Sequence, residues 1–102
     1  MTAIRLIRDY EDRTLPLEQR LPSLARRFPC LNGAPGLAPF SAEEFHTWIS
    51  RQRADSDTWH AGHLILNLFG RGPWAPFDAV EAVRAFDHED RMVFANWVRC
   101  WQ

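Results

Sequence analysis

Two histidines near the middle of the chain, His60 and His63, are the residues whose type and spacing best suit chemistry. On a helix, side chains three positions apart lie on one face, so both imidazoles could reach a single metal ion. Asp57 lies one turn before them and Asn67 one turn after. A stable site needs three or four ligands, so others would have to come from elsewhere in the fold. The candidates are His46, His88 and Asp78.

A structural role explains the same two histidines more simply. The spacing lacks the Glu of a His-Glu-x-x-His motif, so it does not indicate a zinc peptidase. Histidines at the polar edge of a mostly buried helix commonly form hydrogen bonds with a neighbouring loop. We therefore treat a structural role as the main interpretation of His60 and His63 and a metal site as the alternative.

The other reactive residue types form no recognisable catalytic motif. No serine lies in a strand–turn–helix setting, and the glycines of the loop 29–40 follow no strand, so no phosphate cradle is predicted. Cys30 lies in that proline-rich loop and could meet a histidine only through folding. Cys30 and Cys100 match no metal-ligand spacing, and we expect free thiols, with a disulfide left open. We expect a protein that is not an enzyme and needs no cofactor.

The loop after the central helix has the composition of a binding surface. Within residues 70–77, two prolines limit the entropy lost on binding, and Arg71 and Trp74 are residue types that dominate interface hot spots. We predict that Arg71, Trp74 and Phe77 contact a partner. In the structural alternative, Trp74 and Phe77 fold back and cover the core.

The segment that carries the histidines is predicted to be the central helix of the fold, over residues 57–69. Asp57 is predicted to cap its start, and Gly70 ends it where a left-handed residue is needed. Apolar side chains cover most of its circumference, which is typical of a buried helix. The one polar strip consists of His60, His63 and Asn67, either open to solvent or forming the floor of a site.

Helical spacing of apolar residues continues through most of the chain. Residues 15–28 predict two short helices or one kinked helix, because Pro22 removes an amide donor. Ser41 and Glu44 form a capping box before a helix over 42–53. The remaining predicted features are a loop over 29–40, an ambiguous segment 2–12 that we interpret weakly as helix, and helices capped by Asp78 and Asp87. Their expected buried sides are Val80, Val83 and Phe86 in the first, and Val93, Phe94, Trp97, Val98, Cys100 and Trp101 in the second.

These elements predict an all-α protein, with residues 1–102 forming a single compact domain of four to five helices around the central one. Thirteen residues are aromatic, five of them tryptophan, and the formal net charge is −1. All twelve basic residues other than histidine are arginine, which is typical of chains from GC-rich genomes. Arg5 and Arg8 interrupt the only apolar run near the N-terminus, so we expect neither a signal peptide nor a membrane span, and a cytoplasmic location.

Three functions follow, in order of support from the sequence. The first is a non-enzymatic interaction or regulatory module that binds another protein or itself, the latter as a homodimer. The second is a metal-binding protein centred on His60 and His63. The third is a nucleic-acid binder, for which the near-zero net charge is unfavourable. Its arginines would be Arg13, Arg20, Arg26 and Arg27.

Overall fold

One helix lies at the centre of the structure, as the sequence predicts for residues 57–69. The computed structural model describes residues 16–100; the segment 2–12, Arg13 and Trp101 lie outside them. The described part forms one compact all-α globule, without a β-strand. Its elements are α1 (Leu17–Arg27), a 3-10 turn (Pro29–Leu31), α2 (Ala42–Ser50), α3 (Ser56–Phe69), α4 (Ala79–Ala85) and α5 (His88–Cys100).

The central helix α3 contacts α1, α2, α4 and the 3-10 turn. Its buried side is mostly apolar, and Ala61, Ile65 and Leu66 have no exposed surface. Facing residues such as Phe28 and Phe45 are also fully buried. Each such large side chain contributes roughly 1.5–3 kcal/mol on leaving water, so α3 organises most of the core free energy.

A glycine allows α2 to approach α3 closely. A Cβ atom added to Gly62 would lie 2.1 Å from Cδ1 and 2.6 Å from Cγ1 of Ile49. The Ile49 side chain is fully buried and occupies the space above the Gly62 backbone. Glycine costs about 1 kcal/mol relative to alanine inside a helix. This crossing therefore exchanges helix propensity for close packing.

Three of the predicted helix caps are confirmed. The Ser41 hydroxyl accepts from the Glu44 amide at 3.3 Å, Asp78 accepts from Glu81 at 3.0 Å, and Asp87 accepts from the Asp90 amide at 2.9 Å. The second half of the Ser41 capping box is wrong, because the Ser41 amide donates to the Gly36 carbonyl at 2.7 Å instead of to Glu44. The loop backbone already satisfies that amide.

The cap of α3 differs from the prediction by two residues. Asp55 is the N-cap residue, since its carbonyl accepts the first helical bond, from Trp59. Asp57 lies inside the first turn, where its carboxylate accepts from the Thr58 amide at 3.1 Å. Gly70 ends the helix as predicted, but with φ 150° and ψ −161°, an extended region open to glycine alone, where we predicted a left-handed turn.

The prolines and loops of the first half follow the predictions closely. Pro22 is buried inside one continuous helix, α1, which excludes two separate short helices. The segment 29–40 is a loop apart from its 3-10 turn, and it includes a cis peptide bond before Pro39. Arg26 donates from α1 to the Leu37 carbonyl at 3.5 Å, which ties this loop to the first helix.

The predicted buried faces of α4 and α5 are partly wrong. Val80 is 62% exposed and Val83 39%, because the short helix α4 packs on α3 through its small residue Ala82. Val98 is 56% exposed, whereas Asp90 is fully buried on the inner side of α5. The predicted inner residues Val93, Phe94 and Trp97 are partly buried against the core. No helix within residues 16–100 is long and apolar enough to cross a membrane.

The Gly62–Ile49 contact makes a testable prediction. We expect Gly62→Ala to lower the free energy of unfolding by about 1–3 kcal/mol through overpacking, despite the better helix propensity of alanine. The measurement is chemical denaturation of purified protein. In an Ile49→Val background, which removes Cδ1, the same substitution should cost less. Equal costs in both backgrounds would contradict the packing argument.

Candidate functional site

The two sequence-predicted metal ligands have different environments. His63 is only 3% exposed, and its Nδ1 lies 2.8 Å from the Trp59 carbonyl oxygen. Since a carbonyl accepts, Nδ1 carries the proton and donates. The His63 ring packs on the Trp59 ring at 4.3 Å between centroids, and the guanidinium of Arg53 lies over the same indole at 5.5 Å. His60 is half-buried.

Burial lowers the pKa of His63 below its usual range. The bond to the Trp59 carbonyl opposes this shift, while the nearby imidazoles of His46 and His60 add to it by repelling a positive charge. His63 is therefore held neutral in the fold. Among residues 16–100, neither His60 nor His63 belongs to a group of three gathered side chains that could hold a metal.

A different set of metal-ligating side chains is gathered in this part of the chain. Cys30 from the 3-10 turn, Asp57 from the first turn of α3 and Asp90 from the first turn of α5 each offer an atom within 4.8 Å of the others. The Cys30 amide donates to Oδ1 of Asp90 at 3.4 Å, and the buried Thr58 hydroxyl donates to the Cys30 carbonyl at 3.1 Å. Three elements thus meet at one point.

The titration of these groups reflects burial and mutual repulsion. A side-chain hydrogen bond with Asp55, together with burial and the neighbouring Asp90, raises the pKa of Asp57 to about 6. Burial raises the pKa of Asp90, and Asp87 adds to it, while hydrogen bonds with Cys30 oppose it. Burial, then the charge of Asp90, raises the pKa of the Cys30 thiol. A thiol kept protonated is a poor nucleophile, so the cluster gives no support to a Cys–His catalytic pair.

This cluster was not predicted from the sequence, although one signal for it was present. Asp90 lies three and four residues before Val93 and Phe94, and helical periodicity therefore places its carboxylate on the apolar face of α5. Its neighbours Cys30 and Asp57 are 60 and 33 positions away, and only the fold brings them together.

Trp74 belongs to a row of aromatic side chains on the surface. This position agrees in part with the structural alternative for the loop, in which Trp74 folds back and covers the core. It lies 5.5 Å from the ring of His46 and 6.3 Å from that of Phe69, which lies 5.3 Å from Phe40. We call these four side chains the ring row. Phe69 is 38% exposed and the other three are partly exposed. Trp74 therefore covers the core with one side and meets solvent with the other.

The predicted partner residues do not form one cluster. Phe77 packs on Phe94 at 5.8 Å between centroids, and Phe94 continues to Phe86 and Trp97, so these rings extend into the core and away from the ring row. Arg71 is exposed and, among the described residues, forms no hydrogen bond or ion pair. The structure thus separates Phe77 from the Arg71–Trp74 end of the loop.

Hydrogen bonds to the backbone hold the loop in place. The Trp74 indole donates to the Gly70 carbonyl at 3.1 Å. Nδ2 of Asn67 donates to the carbonyl oxygens of His63 at 2.8 Å and Ala75 at 2.9 Å, joining α3 to the loop. Gly72 lies under the indole, where an added Cβ would approach the ring to 2.3 Å. Asn67 therefore tethers the loop to α3.

A shallow recess opens beside the ring row. It measures about 420 Å³ and is lined by Asn67, Gly70, Arg71, Gly72, Trp74 and Pro76. Its walls combine an indole face, a cationic guanidinium and loop backbone. Such a concave surface suits one apolar side chain with an acceptor beside it.

The fold and these sites define a small all-α protein with an ordered aromatic surface loop and a Cys–Asp–Asp cluster in which Asp90 is fully buried and Cys30 and Asp57 are partly buried. Comparisons with known proteins add no family to that description, since no family model, no curated protein and no solved structure matches the chain. Function must therefore be argued from the residues themselves.

The environment of His63 predicts a pH dependence of stability. Its pKa is lowered in the fold, so below about 6.5 the unfolded chain takes up the proton first and the free energy of unfolding falls with pH. We expect His63→Phe, which keeps a ring beside Trp59, to flatten this slope by up to about 1.4 kcal/mol per pH unit. Denaturation curves from pH 8 to 5 test this.

The exposed histidine of α5 provides the control, since His88→Gln should leave the slope unchanged. His46 and His60, which face His63, stay in place in every variant. A wild-type slope retained by His63→Phe would contradict the assignment.

The Asn67 tether predicts a local effect. Asn67→Asp replaces the donating amide by a carboxylate that repels two carbonyl oxygens. We expect a loss of about 1 kcal/mol in stability and faster amide exchange within residues 70–77, while α1 keeps its protection. Hydrogen exchange read by mass spectrometry is the measurement. Unchanged exchange in the loop would show that the tether contributes nothing.

Proposed function

We propose that this protein is a non-enzymatic helical interaction module, and that the ring row together with Arg71 forms its partner-binding surface. The observation that carries the proposal is an exposed arginine, Arg71, with no hydrogen bond or ion pair within residues 16–100, beside partly exposed rings and a recess of about 420 Å³. Aromatic residues and arginine are enriched at protein interfaces and supply most hot spots.

Rigidity of the loop supports the same proposal. The indole of Trp74 is held by the Gly70 carbonyl, and Asn67 fixes Ala75, so the surface is ordered before a partner arrives. Pro73 and Pro76 restrict the backbone further. Binding to such a surface loses little conformational entropy, which leaves more of the contact energy as affinity.

The chemistry of the surface selects the kind of partner. A carboxylate from a partner protein would pair with the guanidinium of Arg71, and an apolar side chain next to it would fill the recess against Trp74. We therefore propose a protein partner that presents an acidic and apolar segment. Phe77 packs on Phe94 and so supports the loop, and in this proposal it does not contact the partner protein.

The proposal predicts that Arg71→Glu abolishes partner binding without changing the fold. Tagged wild-type chain would be crosslinked in lysate of its source, and the captured protein purified and titrated against wild type and variant. Because Arg71 has no hydrogen bond or ion pair to lose within residues 16–100, stability should be unchanged, while affinity should fall by at least roughly 30-fold, as at a hot spot. Reversing the partner's carboxylate should restore binding to Arg71→Glu.

Arg99→Glu is the matched control, since Arg99 is also exposed but lies on α5, away from the ring row. It should bind like the wild type. Equal affinity of Arg71→Glu and wild type would refute this surface, and so would a lysate without any saturable partner. A wild-type dimer that Arg71→Glu dissociates would assign the surface to a second copy and overturn the acidic partner.

A further inference from the structure

We propose that Cys30, Asp57 and Asp90 together bind one divalent transition-metal ion, with zinc as the best match. This site is independent of the ring row and of any partner. The three residues come from the 3-10 turn, α3 and α5, and their ligand atoms lie within 4.8 Å of one another. Ligands on a single zinc ion are about 3.5 Å apart, so a small inward shift of the side chains would suffice.

The second observation is the state of Asp90. Its side chain is fully buried, and within residues 16–100 its Oδ2 atom has no hydrogen-bond partner. Buried carboxylate oxygens are almost always paired, because one without a partner has lost its hydration and gained nothing in return. An ion held between Asp90, Asp57 and Cys30 would give this oxygen its missing interaction.

The balance of charge favours a cation at the same point. Within residues 16–100, no ion pair reaches the Asp90 carboxylate, and the donor bound to its Oδ1 is the neutral Cys30 amide. Fully ionised, the three ligands would carry three negative charges with no arginine among them. A divalent ion removes most of that repulsion, and coordination deprotonates a thiol even where burial opposes it.

The ligand types indicate which ion fits. Magnesium and calcium take oxygen ligands alone, whereas thiolate sulfur selects zinc and related metals. One cysteine and two aspartates supply three of the four positions of a tetrahedral zinc site, and water completes it. The Thr58 hydroxyl holds the Cys30 carbonyl at 3.1 Å and so acts as a positioning residue for the sulfur ligand.

The test uses the full chain after removal of metal with a chelator. Zinc is titrated in competition with a chromophoric chelator, and cobalt(II) serves as a spectroscopic probe. We expect one ion per chain, and with cobalt a thiolate-to-metal charge-transfer band in the near ultraviolet. Cys30→Ser should lose that band, and Asp90→Asn and Asp57→Asn should each weaken zinc binding by at least roughly tenfold.

The chain offers a matched control for each ligand type. Cys100→Ser removes the other cysteine, and Glu89→Gln removes an exposed carboxylate beside Asp90; both should bind zinc and cobalt like the wild type. Far-ultraviolet circular dichroism checks that each variant is folded. If Cys30→Ser or Asp90→Asn fails to fold, the cobalt spectrum of Cys100→Ser still reports whether Cys30 is a ligand.

Two results would overturn the proposal. One is a metal-free wild type that takes up no zinc or cobalt. The other is metal binding that shows no charge-transfer band, persists in Cys30→Ser and disappears in His60→Ala/His63→Ala. This result would assign the metal to the histidines of α3. Neither result depends on whether a protein partner exists. The metal-binding test and the test of the ring row can therefore fail independently of each other.

Discussion

The fold depends on the close contact between α2 and α3 at Gly62. With no side chain at that position, the buried Ile49 lies directly over the α3 backbone. The approach of α2 also determines the surface nearby, because His46 lies one turn before Ile49 and reaches the indole of Trp74. Core packing and the ring row are thus consequences of one helix crossing.

The other end of α3 has a different character. There the first turns of α3 and α5 meet the 3-10 turn, and the contacts are polar: Thr58 with the Cys30 carbonyl, and Asp90 with the Cys30 amide. Besides its ring contacts through Phe94, α5 contacts the 3-10 turn. The Asp90 carboxylate is fully buried at this junction. A buried carboxylate destabilises the fold unless its charge is compensated, and this requirement makes the junction a candidate site.

Much of the architecture was predictable because it rests on local rules. Helical periodicity located α3 to within one residue, and the caps Ser41, Asp78 and Asp87 were correctly identified, since capping is a contact over three residues. Val80 and Val83 were wrongly predicted to be buried, because a seven-residue helix has too few turns for its apolar residues to define one face. The side of α4 that is buried carries the small residue Ala82. For the sites, the sequence singled out Trp74, but its ring neighbours His46, Phe69 and Phe40 come from other elements and no local pattern indicated them.

The sequence by itself determined the all-α class, the position of the central helix and the ordered aromatic loop, because propensity, capping and periodicity act between residues a few positions apart. Only the tertiary structure decided that His63 is buried against Trp59, that Phe77 and Trp74 face different ring clusters, and that Cys30, Asp57 and Asp90 meet. These relations join residues of different elements. They depend on how the helices pack. Side-chain volume and burial across the whole core determine that packing, and no local sequence pattern contains it.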